Sequence, residues 1–119
     1  MWVTDAETAV ENGDRRALMA MIAESYADSR GNDKADIERI VRVWFLRNRN
    51  ILLASKTDRV TIIGDTAATV LLTAGMAGTG EGILDLSADA WRFELELVSD
   101  GRDWRLIGAR WGELGGELR

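Results

Sequence analysis

Apolar residues along this chain change their period once, near residue 50, and the fold reading follows from that change. Before it, hydrophobic positions recur every three to four residues. Thr4-Asp5-Ala6-Glu7 reads as a capping box opening a short helix to about Glu11, which Asn12-Gly13 ends. Asp14 caps a second helix predicted from Arg15 to about Ala27, with Leu18, Met21, Ile22, Ser25 and Tyr26 forming one inward stripe. Asp28 to Asn32 breaks it, and Asp33 starts a third helix predicted over 34–48. That helix turns Ile37, Ile40, Val41, Trp44 and Phe45 inward and Glu38, Arg39, Arg42 and Arg49 to water.

After Asn50 the pattern is that of strands. Residues 51–63 hold two apolar runs around Ser55-Lys56-Thr57-Asp58, read as one bent strand in preference to a short hairpin. Gly64-Asp65 is a turn, and 66–77 is a second strand rich in Thr, Val, Leu and Ala. Residues 78–87 are a glycine-rich loop. In the next strand Trp91, Phe93, Leu95 and Leu97 alternate with Arg92, Glu94 and Glu96, the period of two of a half-buried strand. Ser99-Asp100-Gly101-Arg102 turns the chain into a last strand carrying Trp104, Leu106, Ile107 and Trp111. Gly115-Gly116 opens a short tail. Helices followed by strands predict a single α+β domain over 1–119: three N-terminal helices packed on a strongly curved antiparallel sheet of about four long strands, a cone. Gly75, Gly78 and Gly108 permit the bending.

Composition narrows the chemistry. The chain has no cysteine and no histidine, so a thiolate nucleophile, an imidazole relay and an ordinary zinc site are all excluded. Acid–base work falls to Asp, Glu, Lys or the single tyrosine, Tyr26. The net charge of −5 disfavours nucleic acid as a partner. No apolar run approaches the ~20 residues that span a bilayer, so no membrane role is expected. The acidic start lacks a signal peptide's basic and apolar regions, which reads as cytoplasmic; a leader removed upstream would make the protein exported or periplasmic.

The helical opening AETAVENGDRRALMAMIAESYADSRG, the strand entry Ile62-Ile63-Gly64-Asp65-Thr66-Ala67 and the ending DGRDWRLIGARW together resemble the nuclear-transport-factor-2-like superfamily, with its polyketide-cyclase-like and ketosteroid-isomerase-like members. The likeness covers nearly the whole chain and looks closest to small bacterial members of unknown function, a good number of them exported. It implies a homodimer formed through the sheet and a pocket between sheet and helices. Enzymes of the family place a Tyr or Asp near the end of the second helix, and Tyr26 and Asp28 fall near that position. This chain departs from them in its shorter loop from Asp28 to Asp33, its lack of proline, and the absence of any acid from Thr66 to Gly80.

Two functional readings follow. In the first, the chain is a small-molecule-binding or interaction domain with an apolar pocket lined by Tyr26, Trp44, Phe45, Met76, Trp91, Phe93, Trp104 and Trp111. In the second it is a cofactor-free isomerase, cyclase or hydrolase: Tyr26 polarises a carbonyl and Asp28 moves a proton. Neither needs a metal or other cofactor. The same aromatic residues also read as plain core or as a dimer face. Arg39, Arg42, Arg47 and Arg49 do not read as an anion site: the first two, at i and i+3, read as a solvated helix face offset by Glu38 and Asp36, and the last two suit the negative end of the helix dipole. Gly78-Thr79-Gly80-Glu81-Gly82 is no phosphate loop, lacking the Lys-Ser/Thr ending and a following helix.

Overall fold

The computed structural model describes residues 2–80, 90–113 and 118; within it, 48–54, 76–80, 90 and 113 are described by their backbone pairing alone. Three helices, α1 (Trp2–Glu11), α2 (Arg15–Ala20) and α3 (Lys34–Arg47), precede four strands, β1 (Asn48–Ile63), β2 (Ala67–Gly80), β3 (Ala90–Ser99) and β4 (Trp104–Glu113). The strands form one antiparallel sheet in sequence order. The glycine-rich reading of 78–87 lies mostly outside the described residues; its first residues, Gly78 to Gly80, extend β2. The tail glycines Gly115 and Gly116 lie outside them too.

Alternation decides which face of the sheet is roofed. Val70, Leu72 and Ala74 of β2, Leu95 and Leu97 of β3, and Leu106 and Ala109 of β4 are buried against Val3 and Met19 of the helices and against Ile22 and Tyr26, and Ala68 is buried on the same face of β2. Phe93, Trp104 and Trp111 pack at the margin of that core. Where β1 passes Thr57 the register with β2 slips by one residue, and Asp58 is the extra residue. The predicted bend in 51–63 is therefore a β-bulge, and it moves the helix-side positions from Ser55 and Thr57 to Val60 and Ile62. A second slip between Glu96 and Leu97 puts Ile107 out of register in β4.

The first helix begins at Trp2, two residues before the predicted cap, so Thr4 is an internal helical residue whose carbonyl accepts from the Thr8 hydroxyl at 3.0 Å. The second helix corrects the sequence reading more deeply. It stops at Ala20, and the chain from Met21 to Ala27 lies along the free edge of β4. Leu106 N–H donates to the Met21 carbonyl (2.9 Å), Ala23 N–H to Leu106 (2.9 Å) and Ala27 N–H to Ile107 (3.1 Å). A sheet edge left open exposes unpaired backbone groups, and these bonds satisfy both segments at once. Ile22 and Tyr26 still point inward, whereas Ser25 is exposed. Along α3, Ile37 and Val41 pack on the core, but Ile40, read as inward, is exposed and no residue of the helix is fully buried.

Candidate functional site

Under α1 lies an apolar hollow of about 150 Å³. Trp2, Val3, Ala6, Glu7 and Val10 form its roof; Ser55 of β1, Leu72 and Ala74 of β2, and Phe93 and Leu95 of β3 form its floor. The spacing 3, 6, 7, 10 is one face of a helix, and 72, 74 with 93, 95 is one face of two paired strands, so the hollow follows from the two periods meeting. Its two polar side chains are turned to each other: the Ser55 hydroxyl donates to Glu7 Oε1. The surface left to a guest is carbon. The volume is about that of a cavity that accommodates one benzene ring.

Of the residues read as pocket-lining, Phe93 is part of this hollow. Trp104 lines a separate, larger cleft of about 500 Å³ with Trp2, Asp5, Ala20, Met21, Arg102, Asp103 and Arg105. Trp44 and Phe45 touch each other with ring centres 6.0 Å apart, and Trp44 borders an exterior groove with Arg39, Ile40, Val43 and Arg47. Trp91 is half-buried on β3, and the side chain of Met76 is outside the described residues. Trp111 lies beneath Arg30, whose guanidinium sits 4.2 Å from the ring centre and donates to the Trp111 carbonyl at 3.0 Å. The hollow's α1 side was missed by the sequence reading. A stripe at Val3, Ala6 and Val10 is a visible signal for it, hidden by assigning Thr4 to the cap.

The predicted acid–base pair does meet. The Tyr26 hydroxyl, in a residue only 3 % exposed, donates to Asp28 Oδ2 at 2.8 Å. Asp28 Oδ1 also accepts from the amides of Arg30 (2.9 Å) and Asn32 (3.0 Å), and Oδ2 from Asn32 Nδ2 (3.2 Å). Partial burial works against ionising Asp28, but these donors outweigh it and hold the carboxyl below its usual range. Burial first, and then the bond to Asp28, push the Tyr26 phenol up. A carboxylate with four donors is a weakened base, and it holds the turn closed by the antiparallel bridge of Ala27 with Asp33. The described residues include no group of three or more carboxylates placed to hold a metal ion.

No protein-family model and no curated protein matches this chain. Solved structures do. Bd1075 of Bdellovibrio bacteriovorus superposes with a TM-score of 0.79 at 13 % identity, over 93 % of this chain and 37 % of that one, so this chain spans little more than a third of its length. A ketosteroid isomerase-like protein from Erwinia carotovora atroseptica gives 0.73 at 13 % identity, over 95 % and 91 % of the two chains. An NTF2-like protein of unknown function from Silicibacter pomeroyi gives 0.69 at 13 % identity, over 94 % and 89 %. The chain has the nuclear-transport-factor-2-like fold, helices on a four-stranded antiparallel sheet, as its sequence resemblance implies.

Proposed function

We propose that this chain is a small-molecule-binding domain that holds an apolar ligand between α1 and the helix-side face of the sheet, and that it works as a homodimer. The observation carrying the first part is the carbon-lined hollow of about 150 Å³. Apolar pockets with few polar groups are the usual form of a small-molecule site, and an apolar guest entering this one removes its carbon surface from water. The enzymatic alternative rests on the 2.8 Å contact of Tyr26 with Asp28. It is the weaker reading, because each oxygen of Asp28 already accepts two hydrogen bonds within its own turn.

Support for a dimer comes from α3 and the end of β1. Ile40, Val43 and Leu46 on α3, and Val60, Ile62 and Ile63 on β1, are large apolar residues left exposed. The expected route through the outer sheet face has less in its favour. That face carries the Arg110–Glu94 pair, and Asp58 takes the Thr73 hydroxyl at 2.7 Å with Arg92 3.8 Å away.

The ligand reading is tested by thermal unfolding with and without toluene. Ligand present at about a hundred times its Kd stabilises the folded state by roughly 2.7 kcal/mol, a rise of about ten degrees. An unchanged transition with toluene and with other one-ring hydrocarbons removes the proposal.

A further inference from the structure

Trp2 lines both the apolar hollow and the larger cleft beside it. Trp2 is therefore shared by a carbon-lined hollow and a cleft edged with charge. Its position is set by the first turn of α1 and by the indole N–H, which donates to the Met21 carbonyl at 3.2 Å. A molecule lying along Trp2 would reach the hollow with one end and the cleft with the other.

The charges of the cleft decide which polar end. Asp5, Asp103, Arg102 and Arg105 border it. Arg105 is committed: it meets Asp100 at 2.8 Å and Asp103 at 3.8 Å. Asp5 already has an interaction of its own. Arg102 is fixed through its backbone, where the amide donates to Asp100 Oδ1 at 3.0 Å, while its guanidinium has no carboxylate partner among the described residues. Gly101, with φ 97°, turns the chain just before it and sets Arg102 at the cleft's edge. The charges bordering the cleft balance, two Asp against two Arg, and the guanidinium among them with no carboxylate partner in the described residues is that of Arg102, a planar donor suited to a carboxylate.

We propose that the ligand is an amphiphilic carboxylate, its apolar body of about one ring in the hollow under α1 and its carboxylate on Arg102 in the cleft beyond Trp2. The inference rests on the pocket reading above and adds to it the class of molecule and the residue that selects it.

Four probes separate the two statements by calorimetry on the intact chain: toluene, 3-phenylpropionate, 3-phenylpropanol and 3-phenylpropylamine. The carboxylate is expected to bind roughly two- to fivefold tighter than the alcohol, the range of an ion pair to an exposed Arg, with the advantage shrinking as salt is added. Arg102→Gln, an exposed turn residue, is expected to bring carboxylate and alcohol to equal affinity while toluene binds as before. Equal binding of alcohol and carboxylate to the unaltered protein, or tightest binding of the amine, overturns the assignment of Arg102 and leaves the hollow standing. A carboxylate preference that survives Arg102→Gln overturns it as well. If none of the four binds, toluene included, the pocket reading itself is lost and this one with it.

Discussion

Asp28 shows how one side chain can organise a turn. It collects two backbone amides, an amide side chain and a buried phenol. Asp28→Ala is expected to cost about 2 kcal/mol, since the donors released include one from a nearly buried tyrosine; urea unfolding at neutral pH measures it. The pH dependence has a definite sign. The Asp28 carboxyl is held below its ordinary range, so its stabilisation is present above the unfolded value near 4 and is lost as pH falls through the lower folded value. Asp28→Asn is expected to lose less stability than the unaltered protein on going from about pH 4 downward. Tyr26 runs the other way: its phenol is pushed up by burial and then by Asp28, so its contribution is intact below about pH 10 and declines above it. Tyr26→Phe is expected to flatten that alkaline decline; equal slopes in the two proteins contradict the assignment. At the hollow, Ala6→Leu adds three carbons to the roof without disturbing α1. It is expected to stabilise the chain by about 1 kcal/mol and to abolish any shift with toluene, and a retained shift places the ligand elsewhere.

At the scale of elements, the segment from Met21 to Ala27 is the piece on which this fold closes. Gly108 sits beneath it: a Cβ there would lie 3.1 Å from the Ala27 carbonyl oxygen and 3.2 Å from Glu96 Oε2. Glu96 can swing aside; Ala27 is pinned by its own N–H to Ile107. Gly108→Ala removes unfolded-chain freedom, a gain of about 0.5–1 kcal/mol, against an overpacking cost of about 1–3 kcal/mol. The net expectation is a loss of about 1 kcal/mol, with faster hydrogen exchange at the amides of Ala23, Ala27 and Leu106; unchanged exchange there refutes the close-approach account. Gly108 read in sequence as a place for the sheet to bend, and the structure adds what passes over it. The same segment shows where local pattern ends. Trp91, Phe93, Leu95 and Leu97 carry their own evidence of a strand, and the bulge at Asp58 was visible as a polar break between two apolar runs. Leu18, Met21, Ile22 and Tyr26 satisfy a helical period, yet beyond Ala20 the backbone bonds β4, some 80 residues away in sequence. Inward-pointing residues are compatible with both conformations, and only the distant strand's open edge chooses between them. The roof of the hollow was hidden for a related reason: Glu7 has a Ser55 hydroxyl to accept, so the local cap it was assigned to is not its partner.

The two edges of the sheet are treated differently across the whole molecule. Residues 21–27 cover β4, while β1 runs sixteen residues with no strand on its other side among the described residues. Lys56, Asp58 and Arg59 stand along β1, and the bulge at Asp58 twists it; charge and irregularity of this kind resist strand-to-strand addition. Association of two copies therefore draws on side-chain packing, and α3 offers the more regular surface. Ile40, Val43 and Leu46 stand roughly one helical turn apart, with Leu46 79 % exposed. Ile40→Glu with Leu46→Glu is expected to convert a dimer to a monomer in sedimentation equilibrium at micromolar concentration. Because both residues are exposed in the monomer, the double variant's intrinsic stability is expected to change by no more than about 0.5 kcal/mol for each substitution. A dimer that survives those changes but dissociates on Val60→Glu with Ile62→Glu assigns the interface to the unroofed end of β1. A monomeric unaltered protein would leave both apolar groups without the role proposed for them. The ligand site would be untouched by that result, since every residue lining the hollow belongs to one copy of the chain.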